Sequence, residues 1–278
     1  MSRPCQPTRR ALPLDSEKKM MLSESQIVDI LKALADTHRL QIFRLLLVSD
    51  RTNSELMDIT GLRQNLLSHH LGILTGCGLI RSQRSIGDAR RHYYSVDLQM
   101  TQQFMQWWQR HCACPADSAP LPVLQRPRRI LFLCRRNTSR SLMAEALARH
   151  FFSQALIPYS AGIEEPETAG QALPEVTALV LARHGVATTD LAAKSLEDLR
   201  GIPFDLVITV CDIVHETEGV TSDQFQGARI GHWSLHDPLE VGTTARQQEA
   251  AAEELFAELK LRLSNLVHQL AVEESAGA

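Results

Sequence analysis

The spacing of hydrophobic positions changes along the chain. In the first part they recur every three or four residues, as on the amphipathic face formed by Ile27, Ile30, Leu31 and Leu34. Further on, short apolar runs such as Ile130–Leu133 alternate with helical stretches. The pattern therefore predicts two domains: a mainly α-helical one, followed by a three-layer α/β domain with a doubly wound parallel sheet.

Composition places the boundaries of these domains. The first residues are rich in proline and charge, and a second proline-rich stretch divides the two patterns. We expect a disordered tail at 1–22, a first domain at 23–112, a linker at 113–127, a second domain at 128–272 and a short tail at 273–278.

The first domain contains the pattern of a helix-turn-helix. A short helix ends at Gly61, and in the following segment 62–75 the apolar residues Leu67, Leu71 and Leu74 fall on one face. The opposite face carries Gln64, Asn65, Ser68 and His69. A second helix that is polar on its outer face is typical of a recognition helix that enters the major groove of double-stranded DNA.

Two strand-like runs follow, Leu79–Ser85 and Arg90–Val96, and they predict a hairpin beside this helix. Its basic residues include Arg84, Arg90 and Arg91, which suit contacts to phosphates. The next helix, Leu98–His111, carries Phe104, Trp107 and Trp108. Because large aromatic side chains on the last helix of a domain need a packing partner, this pattern favours a homodimer.

The distribution of net charge along the chain supports the division into two domains. The first 112 residues have a net charge of +5 and the remainder −8, so a nucleic-acid partner is expected only for the first domain. No apolar run of about 18 residues occurs, and the N-terminus lacks the apolar centre of a secretion signal. Six scattered cysteines do not form a disulfide framework. We therefore expect a cytoplasmic protein with no membrane partner.

Candidate chemistry gathers at Cys134–Ser141, between a predicted strand and a predicted helix. Backbone N–H groups of such a loop can turn inward and bind an oxyanion, and Arg140 can hold two of its oxygens. The same dipoles should keep Cys134 as a nucleophilic thiolate. Asn137 suits a left-handed turn, and Ser141 can hydrogen-bond the sulfur. The remaining residues assigned to anion binding are Arg135, Arg136, Thr138 and Ser139.

Two further residues lie where such a site would need them. The apolar run Phe204–Cys211 predicts a parallel strand, which places Cys211 at the same rim of the sheet as Cys134. Asp237 precedes Pro238 in a predicted loop, where its carboxyl group could protonate a leaving oxygen. Without these roles, Cys211 is a small apolar residue at a strand end and Asp237 belongs to an ordinary turn.

Residues 34–43, 67–71 and 87–94 read LADTHRLQIF, LSHHL and GDARRHYY, and they resemble winged-helix repressors of the ArsR/SmtB family. The resemblance implies a homodimer that leaves operator DNA when a metal or metalloid binds. The helix at Ser54–Thr60 lacks the cysteine pair that founding members use. Arg63 also stands where a small capping residue usually opens the recognition helix.

An arsenite site is therefore sought elsewhere. Cys112 and Cys114 end the closing helix, and Cys5 of the other subunit could supply the third thiolate that trivalent arsenic prefers. The alternative is that these are incidental thiols. Cys77, between apolar residues, is interpreted as structural.

The loop at Cys134 resembles that of low-molecular-weight tyrosine phosphatases and of the arsenate reductases that share their fold, although Arg136 replaces a usual glycine. The segments 207–211 and 232–238 are similar to the arsenate reductases. This resemblance implies that Cys134 attacks arsenate, Asp237 assists the loss of water, and Cys211 then attacks Cys134 to release arsenite. Asp237 would be the general acid whether the domain is a tyrosine phosphatase or an arsenate reductase.

Those reductases pass the disulfide to a third cysteine, but this chain has Glu218 there. An external thiol reductant is therefore expected, whether thioredoxin, glutaredoxin or a small thiol, and no tightly bound cofactor. The first hypothesis is a regulator of arsenical resistance joined to an arsenate reductase-like domain. Two alternatives remain: the second domain only senses arsenate or phosphate, or it is a tyrosine phosphatase.

Overall fold

A computed structural model describes residues 22–112, 124–164, 173–216, 220, 225, 227–241 and 243–276. Two cores are present, one in each half of the chain. The predicted fold class is confirmed, with a helical winged domain followed by an α/β domain built on a parallel sheet. In the described ranges, none of the helices combines the length and apolarity that crossing a bilayer requires.

The first domain packs its helices against a small antiparallel sheet with strand order β1-β3-β2. Its elements are α1 (Glu24–Leu34), α2 (Thr37–Leu46), β1 (Arg51–Thr52), α3 (Asn53–Thr60), α4 (Gln64–Gly76), β2 (Ile80–Arg84), β3 (His92–Val96) and α5 (Leu98–His111). We call β2, β3 and the turn between them the wing.

Local signals account for the ends of these helices. Asp36 caps α2, because its side chain accepts a hydrogen bond of 2.9 Å from the backbone N–H of Arg39. Gly61 ends α3 in the left-handed conformation, with φ of +69°. Arg63 precedes α4 without a side-chain capping bond, which agrees with the departure noted from the sequence.

The second domain has four parallel strands in the order β5-β4-β6-β7. Its elements are β4 (Arg128–Cys134), α6 (Arg140–Phe151), β5 (Leu156–Gly162), α7 (Glu175–Arg183), β6 (Leu206–Thr209), α8 (Asp212–Glu216), β7 (Arg229–His232) and α9 (Ala245–Ala276). The consecutive residues 130–133 of β4 are all fully buried. Since successive side chains point to opposite faces, both faces of the sheet are covered.

Three features differ from the sequence expectations. The short elements β7 and α8 were not predicted, because four or five residues carry too little periodicity. Helix α9 continues to Ala276, so the segment expected as a tail from 273 is helical up to that residue. Ion pairs hold this end, with Glu273 2.7 Å from Arg229 and Glu274 2.9 Å from Arg128. The proposed linker lies mostly outside the described residues.

The two domains are joined by a buried ion pair. Arg262 of α9 donates two hydrogen bonds, of 2.9 and 3.0 Å, to the carboxylate of Asp50, just before β1. Asp50 is fully buried and the Arg262 side chain is 6% exposed. Glu258 also accepts from Arg262, at 3.0 Å. Charges this deeply buried are stable only when paired, so the pair requires the domains to stay together.

Aromatic and imidazole rings continue the interface. The ring of His215 in α8 stacks on His232 of β7, with centroids 4.2 Å apart, and Tyr93 of the wing lies 4.7 Å from His232. His215 also lies 2.9 Å from a carboxylate oxygen of Glu55 in α3. Burial raises the pKa of Glu55, but hydrogen bonds from His215 and Thr52 outweigh it and lower that pKa to about 2. This carboxylate therefore stays charged at the interface.

Removing the Asp50 carboxylate should destabilise the whole chain. In Asp50→Ala, Glu258 is the one carboxylate partner left to Arg262 among the described residues. We expect a loss of roughly 3 kcal/mol in the free energy of unfolding, because a buried charge is left undercompensated. Urea unfolding of the full chain, followed by circular dichroism, measures it. A matched control is Glu197→Ala, which removes an exposed pair with Arg200 and should leave stability within experimental error. Equal stability of the two variants would contradict the assignment.

Candidate active site and DNA-contacting surface

The loop from Cys134 to Arg140 connects β4 to α6 and folds around the cysteine sulfur. Asn137 has a φ of +53°, the left-handed conformation that its side chain tolerates. This turn points the N–H of Asn137 at the Sγ of Cys134, at 3.1 Å. The hydroxyl of Ser141 lies 2.9 Å from the same sulfur. Two groups therefore hold Cys134 at the start of the loop.

Asn137 and Ser141 stand behind the cysteine, because neither lines the cavity in front of it. The side-chain amide of Asn137 donates to Ser141 Oγ at 2.9 Å, and its Oδ1 accepts from the N–H of Lys194 at 2.8 Å. Both residues hold the shape of the loop in this conformation, and their assignment to anion binding stays a prediction.

Two supports of the loop were missed from the sequence. Gly162 ends β5 beside the loop, and a Cβ there would meet the carbonyl oxygen of Arg135 at 3.0 Å. The buried carboxylate of Glu145 accepts from Ser160 at 2.5 Å and lies 3.2 Å from Lys194 Nζ. A glycine at the end of a parallel strand is the one local signal that could have indicated this close approach.

A cavity of about 180 Å³ opens in front of the sulfur. Five loop residues besides the cysteine line it, together with Cys211 just after β6 and residues from α8, the 237–240 segment and the wing. The lining residues are Ile86, Cys134, Arg135, Arg136, Thr138, Ser139, Arg140, Cys211, Ile213, Asp237, Leu239 and Glu240. The predicted catalytic residues Cys134, Arg140, Asp237 and Cys211 therefore meet at one cavity.

One nitrogen of the Arg140 guanidinium has no partner among the described residues. Its Nη1 donates to the carbonyl oxygen of Leu235 at 3.0 Å, and its Nη2 lies 3.2 Å from a carboxylate oxygen of Asp237. Its Nε is buried and has no hydrogen-bond partner among the described residues. A buried donor without a partner is costly, so an oxyanion in the cavity would satisfy it.

The expectation that Cys134 is held as a thiolate is wrong for this conformation. Cys134 is only 3% exposed, and burial raises the pKa of its thiol. The Ser141 hydroxyl, the charge of Arg140 and the N–H of Asn137 act in the opposite direction but do not compensate for it. Part of the Arg140 charge is already balanced by Asp237. The thiol is therefore protonated in the closed cavity.

The positive charge of Arg135 and Arg136, both predicted to bind the anion, is partly neutralised. Glu164 lies 2.5 Å from Arg135 Nε and 3.9 Å from Arg136 Nε. Ser139, deeper in the loop, is 3.1 Å from the hydroxyl of Thr177 in α7, which fixes its side chain. Thr138 is half-buried at the cavity wall.

All residues predicted to contact DNA are exposed. On α4 these are Gln64, Asn65, Ser68 and His69, and on the wing Arg84, Arg90 and Arg91. Asp88, in the turn of the wing, lies 3.0 Å from Arg90 and 3.6 Å from Arg91. The structure therefore brings the recognition helix and the basic wing to the surface, as a DNA-binding element requires.

The expected arsenite site falls mostly outside the described residues. Cys112 caps the C-terminus of α5 and is exposed, whereas Cys5 and Cys114 belong to undescribed segments. Within the described ranges, no cluster of three or more His, Cys, Asp or Glu side chains is suited to a metal ion. Cys77 is half-buried, and burial raises the pKa of its thiol.

The fold joins a winged helix-turn-helix domain to a parallel α/β domain, and one cavity of the second domain is lined by a cysteine, an arginine and an aspartate. Residues 129–276 match the family described as low molecular weight phosphotyrosine protein phosphatase. The match covers half of the chain, and the chain belongs to this family. Residues 36–82 match the family described as bacterial regulatory protein, arsR family, which makes the first domain an ArsR-family helix-turn-helix.

Individual relatives correspond to each half. The chain is 27% identical to the glutaredoxin arsenate reductase of Synechocystis sp. over 149 residues, 51% of this chain and 98% of that one. It is 35% identical to the probable mercury resistance operon repressor of Streptomyces lividans over 65 residues, 23% of this chain and 50% of that one. A solved arsenate reductase in the phosphate-binding state has 20% identity and a TM-score of 0.42, covering 51% and 98% of the two chains.

The raised pKa of Cys134 can be measured by alkylation. Only the thiolate reacts, so the rate of iodoacetamide labelling should rise with pH through a midpoint above about 8.5, the ordinary value for cysteine. Asp237→Asn should lower this midpoint, because Arg140 no longer shares its charge, and Ser141→Ala should raise it. Peptide mapping by mass spectrometry isolates the signal of Cys134. A wild-type midpoint below neutral pH would show that the loop dipoles outweigh burial.

Proposed function

We propose that the protein is a DNA-binding regulator of arsenical resistance whose second domain reduces arsenate. One observation carries the choice of chemistry: Cys211 lines the same cavity as Cys134. Hydrolysis of a phosphate ester through a cysteine intermediate needs one thiol, whereas reduction of arsenate needs a second thiol to supply electrons. The arsenate reductase among the relatives supports the same choice.

The dimensions of the cavity agree with a small inorganic substrate. At about 180 Å³ it is smaller than the roughly 300–1,000 Å³ of typical organic-ligand pockets. Leu239 and Glu240 occupy the positions after the Asp-Pro pair, and none of the described lining residues is aromatic. A phosphotyrosine ring would have no aromatic side chain to stack on. Arsenate or phosphate would contact the loop amides and the free Nε of Arg140.

The reaction proceeds in three steps. The Asp237 carboxylate takes the proton of Cys134, and the resulting thiolate attacks the arsenic of the bound arsenate dianion. An S–As bond forms while the bond from arsenic to its hydroxyl group breaks, and Asp237 returns the proton to the departing hydroxyl, which leaves as water. Cys211 then gives its proton to an oxygen on arsenic and attacks the sulfur of Cys134. An S–S bond forms, the S–As bond breaks, and its electron pair stays on arsenic, which leaves as arsenite. An external dithiol reduces the disulfide and is itself oxidised.

Glutaredoxin, thioredoxin or a small thiol could be that reductant. The relative in Synechocystis is named for glutaredoxin. With Glu218 in place of a third cysteine, the disulfide between Cys134 and Cys211 must be reduced where it forms, so access to the cavity determines which donor works.

Arsenite release by the purified full chain tests this function. We expect turnover with arsenate and a glutaredoxin–glutathione or thioredoxin system. The rate of arsenite release should fall by roughly a thousandfold or more in Cys134→Ser, which is the scale of effect when a nucleophile is removed. Cys211→Ser should abolish release with thioredoxin, while Cys77→Ser should retain the wild-type rate. Aryl phosphate hydrolysis without any arsenite release would favour the phosphatase alternative. Binding of arsenate with neither activity would favour a sensor.

The DNA-binding form is proposed to be a homodimer. Large apolar side chains remain exposed on two helices of the first domain, Val28 and Leu31 on α1 and Met105 and Trp108 on α5. Such a stripe at the surface needs a partner, and a second copy of the same stripe would cover it. A dimer would present two recognition helices to successive major grooves.

Placing a charge in this stripe should separate the subunits. Trp108→Glu is expected to convert the dimer into a monomer and to weaken binding of DNA, because each half-site contact then acts alone. Sedimentation equilibrium gives the oligomeric state, and fluorescence anisotropy gives the affinity. Gln106→Glu adds the same charge at an exposed position further round the helix from Met105 and Trp108, and should remain dimeric. A monomeric wild type would contradict the proposal.

A further inference from the structure

The tip of the wing is docked on the second domain. The hydroxyl of Ser85 donates to the carboxylate of Glu216 at 2.7 Å, and the backbone N–H of Ile86 donates to Asp212 at 2.9 Å. Gly87 comes so close to α8 that a Cβ would clash with the Glu216 carboxylate and lie 3.4 Å from the Cα of Ile213. The wing therefore makes contact with α8 through its backbone as well as its side chains.

Helix α8 also belongs to the catalytic cavity. It begins at Asp212, the residue directly after Cys211, and Ile213 lines the cavity wall. The side chain of Ile86 lines the same cavity, although it comes from the first domain and remains 41% exposed at the rim. One wall of the oxyanion site is thus supplied by the DNA-binding domain.

The carboxylate of Asp212 ties these parts together. It is 1% exposed and accepts hydrogen bonds from the N–H of Ile86, from the hydroxyl of Ser234 at 2.6 Å and, at 3.1 Å, from the ring of His232. Burial raises the pKa of Asp212, but these bonds outweigh it and lower the pKa, so the group is a carboxylate. Movement of Asp212 would break contacts on both sides of the interface.

The basic residues of the wing remain accessible to DNA. Arg84, Arg90 and Arg91 are exposed while the tip is docked, and α4 presents its polar face to solvent. Docking holds the hairpin in a fixed position relative to α4. A binding surface that is fixed in advance loses less conformational entropy when it binds.

We propose that the wing is shared by the DNA-contacting surface and the oxyanion site, so that the chemical state of Cys211 controls the affinity for DNA through α8. This inference rests on the proposed function in one respect: arsenate reduction is the reaction that would form the Cys134–Cys211 disulfide in the cell. With both thiols reduced, the wing is docked and DNA binding is strong. Formation of the Cys134–Cys211 bond draws Cys211 toward the loop, displaces Asp212 at the start of α8 and releases Ser85–Gly87. DNA then binds more weakly.

Coupling of this kind is reciprocal. If reduced thiols favour the docked wing and DNA, bound DNA must in turn stabilise the docked wing and the closed cavity. The electrons in the switching step are accounted for: the two thiols give two electrons and two protons to arsenate, or, in the experiment below, to diamide, which becomes the hydrazine.

DNA affinity in the two redox states tests the proposal. The experiment uses a full-length variant with Cys5→Ser, Cys77→Ser, Cys112→Ser and Cys114→Ser. In this variant only Cys134 and Cys211 can form a disulfide, and the proposed arsenite ligands are removed. The probe is a labelled duplex selected from a random library by the reduced protein. We expect oxidation by diamide to weaken binding by at least about fivefold, the lower range for coupled sites. Mass spectrometry verifies the bond.

Variants of the wing separate coupling from a direct effect on DNA. Gly87→Val should undock the tip, so that binding is weakened already in the reduced state and no longer responds to diamide. Glu216→Ala, on the other side of the contact, should give the same loss of response without altering the wing. Ala89→Val adds similar bulk at an exposed position of the same turn and should respond like the wild type. Cys211→Ser should not respond at all.

The cavity provides a second readout. Alkylation of Cys134 by iodoacetamide should be about fivefold faster in Gly87→Val than in Ala89→Val, because the undocked tip no longer covers the rim, and the selected duplex should slow it in the wild type. Equal rates in the two variants, or wild-type DNA affinity that is unchanged by the disulfide, would overturn the proposal.

The proposal and the proposed function can fail separately. Arsenite release that occurs without any change in DNA affinity would leave an arsenate reductase whose domains are uncoupled, and would refute the switch. Loss of DNA affinity on treatment with diamide, without arsenite release from arsenate, would support the switch and refute the assigned reaction.

Discussion

A charge that is removed from water must find a partner, and this constraint holds the molecule together. Arg262 of the second domain meets Asp50 of the first, and Asp212 accepts from the wing as well as from its own domain. Glu55 and His215 form a third pair across the interface. Neither domain could satisfy these groups alone without exposing them to water. The two halves are therefore one structural unit rather than two modules on a tether.

The same constraint shapes the catalytic cavity. Its rear is made by the loop that holds Cys134, but its rim is completed by Ile86 from the other domain. A rim of this kind reduces the water around the sulfur, which is why burial raises the pKa of Cys134 although donors surround it. In the proposed reaction, Cys134 stays protonated until the anion enters, so oxidants that do not fit the cavity would meet a thiol that reacts slowly.

The parts of the fold that depend on residues close in sequence could be predicted from the sequence. Asp36 caps its helix, Asn137 adopts the left-handed turn, and the strand–loop–helix at Cys134 forms where the apolar run stops. The contact of Asp50 with Arg262 spans 212 positions, and no local pattern encodes it. The burial of Cys134, and with it the direction of its pKa, depends on that distant packing. For this reason the expected thiolate was wrong.

The close approach of Gly87 to α8 has an evolutionary consequence. In a repressor that lacks a second domain, the tip of the wing is free in solution and any small polar residue would serve there. In the fused chain, a Cβ at this position collides with Glu216. A larger residue at the tip would displace the Glu216 side chain and its hydrogen bond with Ser85, so the two segments are expected to vary together among proteins that share this domain order. Evidence that the two domains evolved together would then be found in correlated substitutions between the tip of the wing and α8, rather than in the linker.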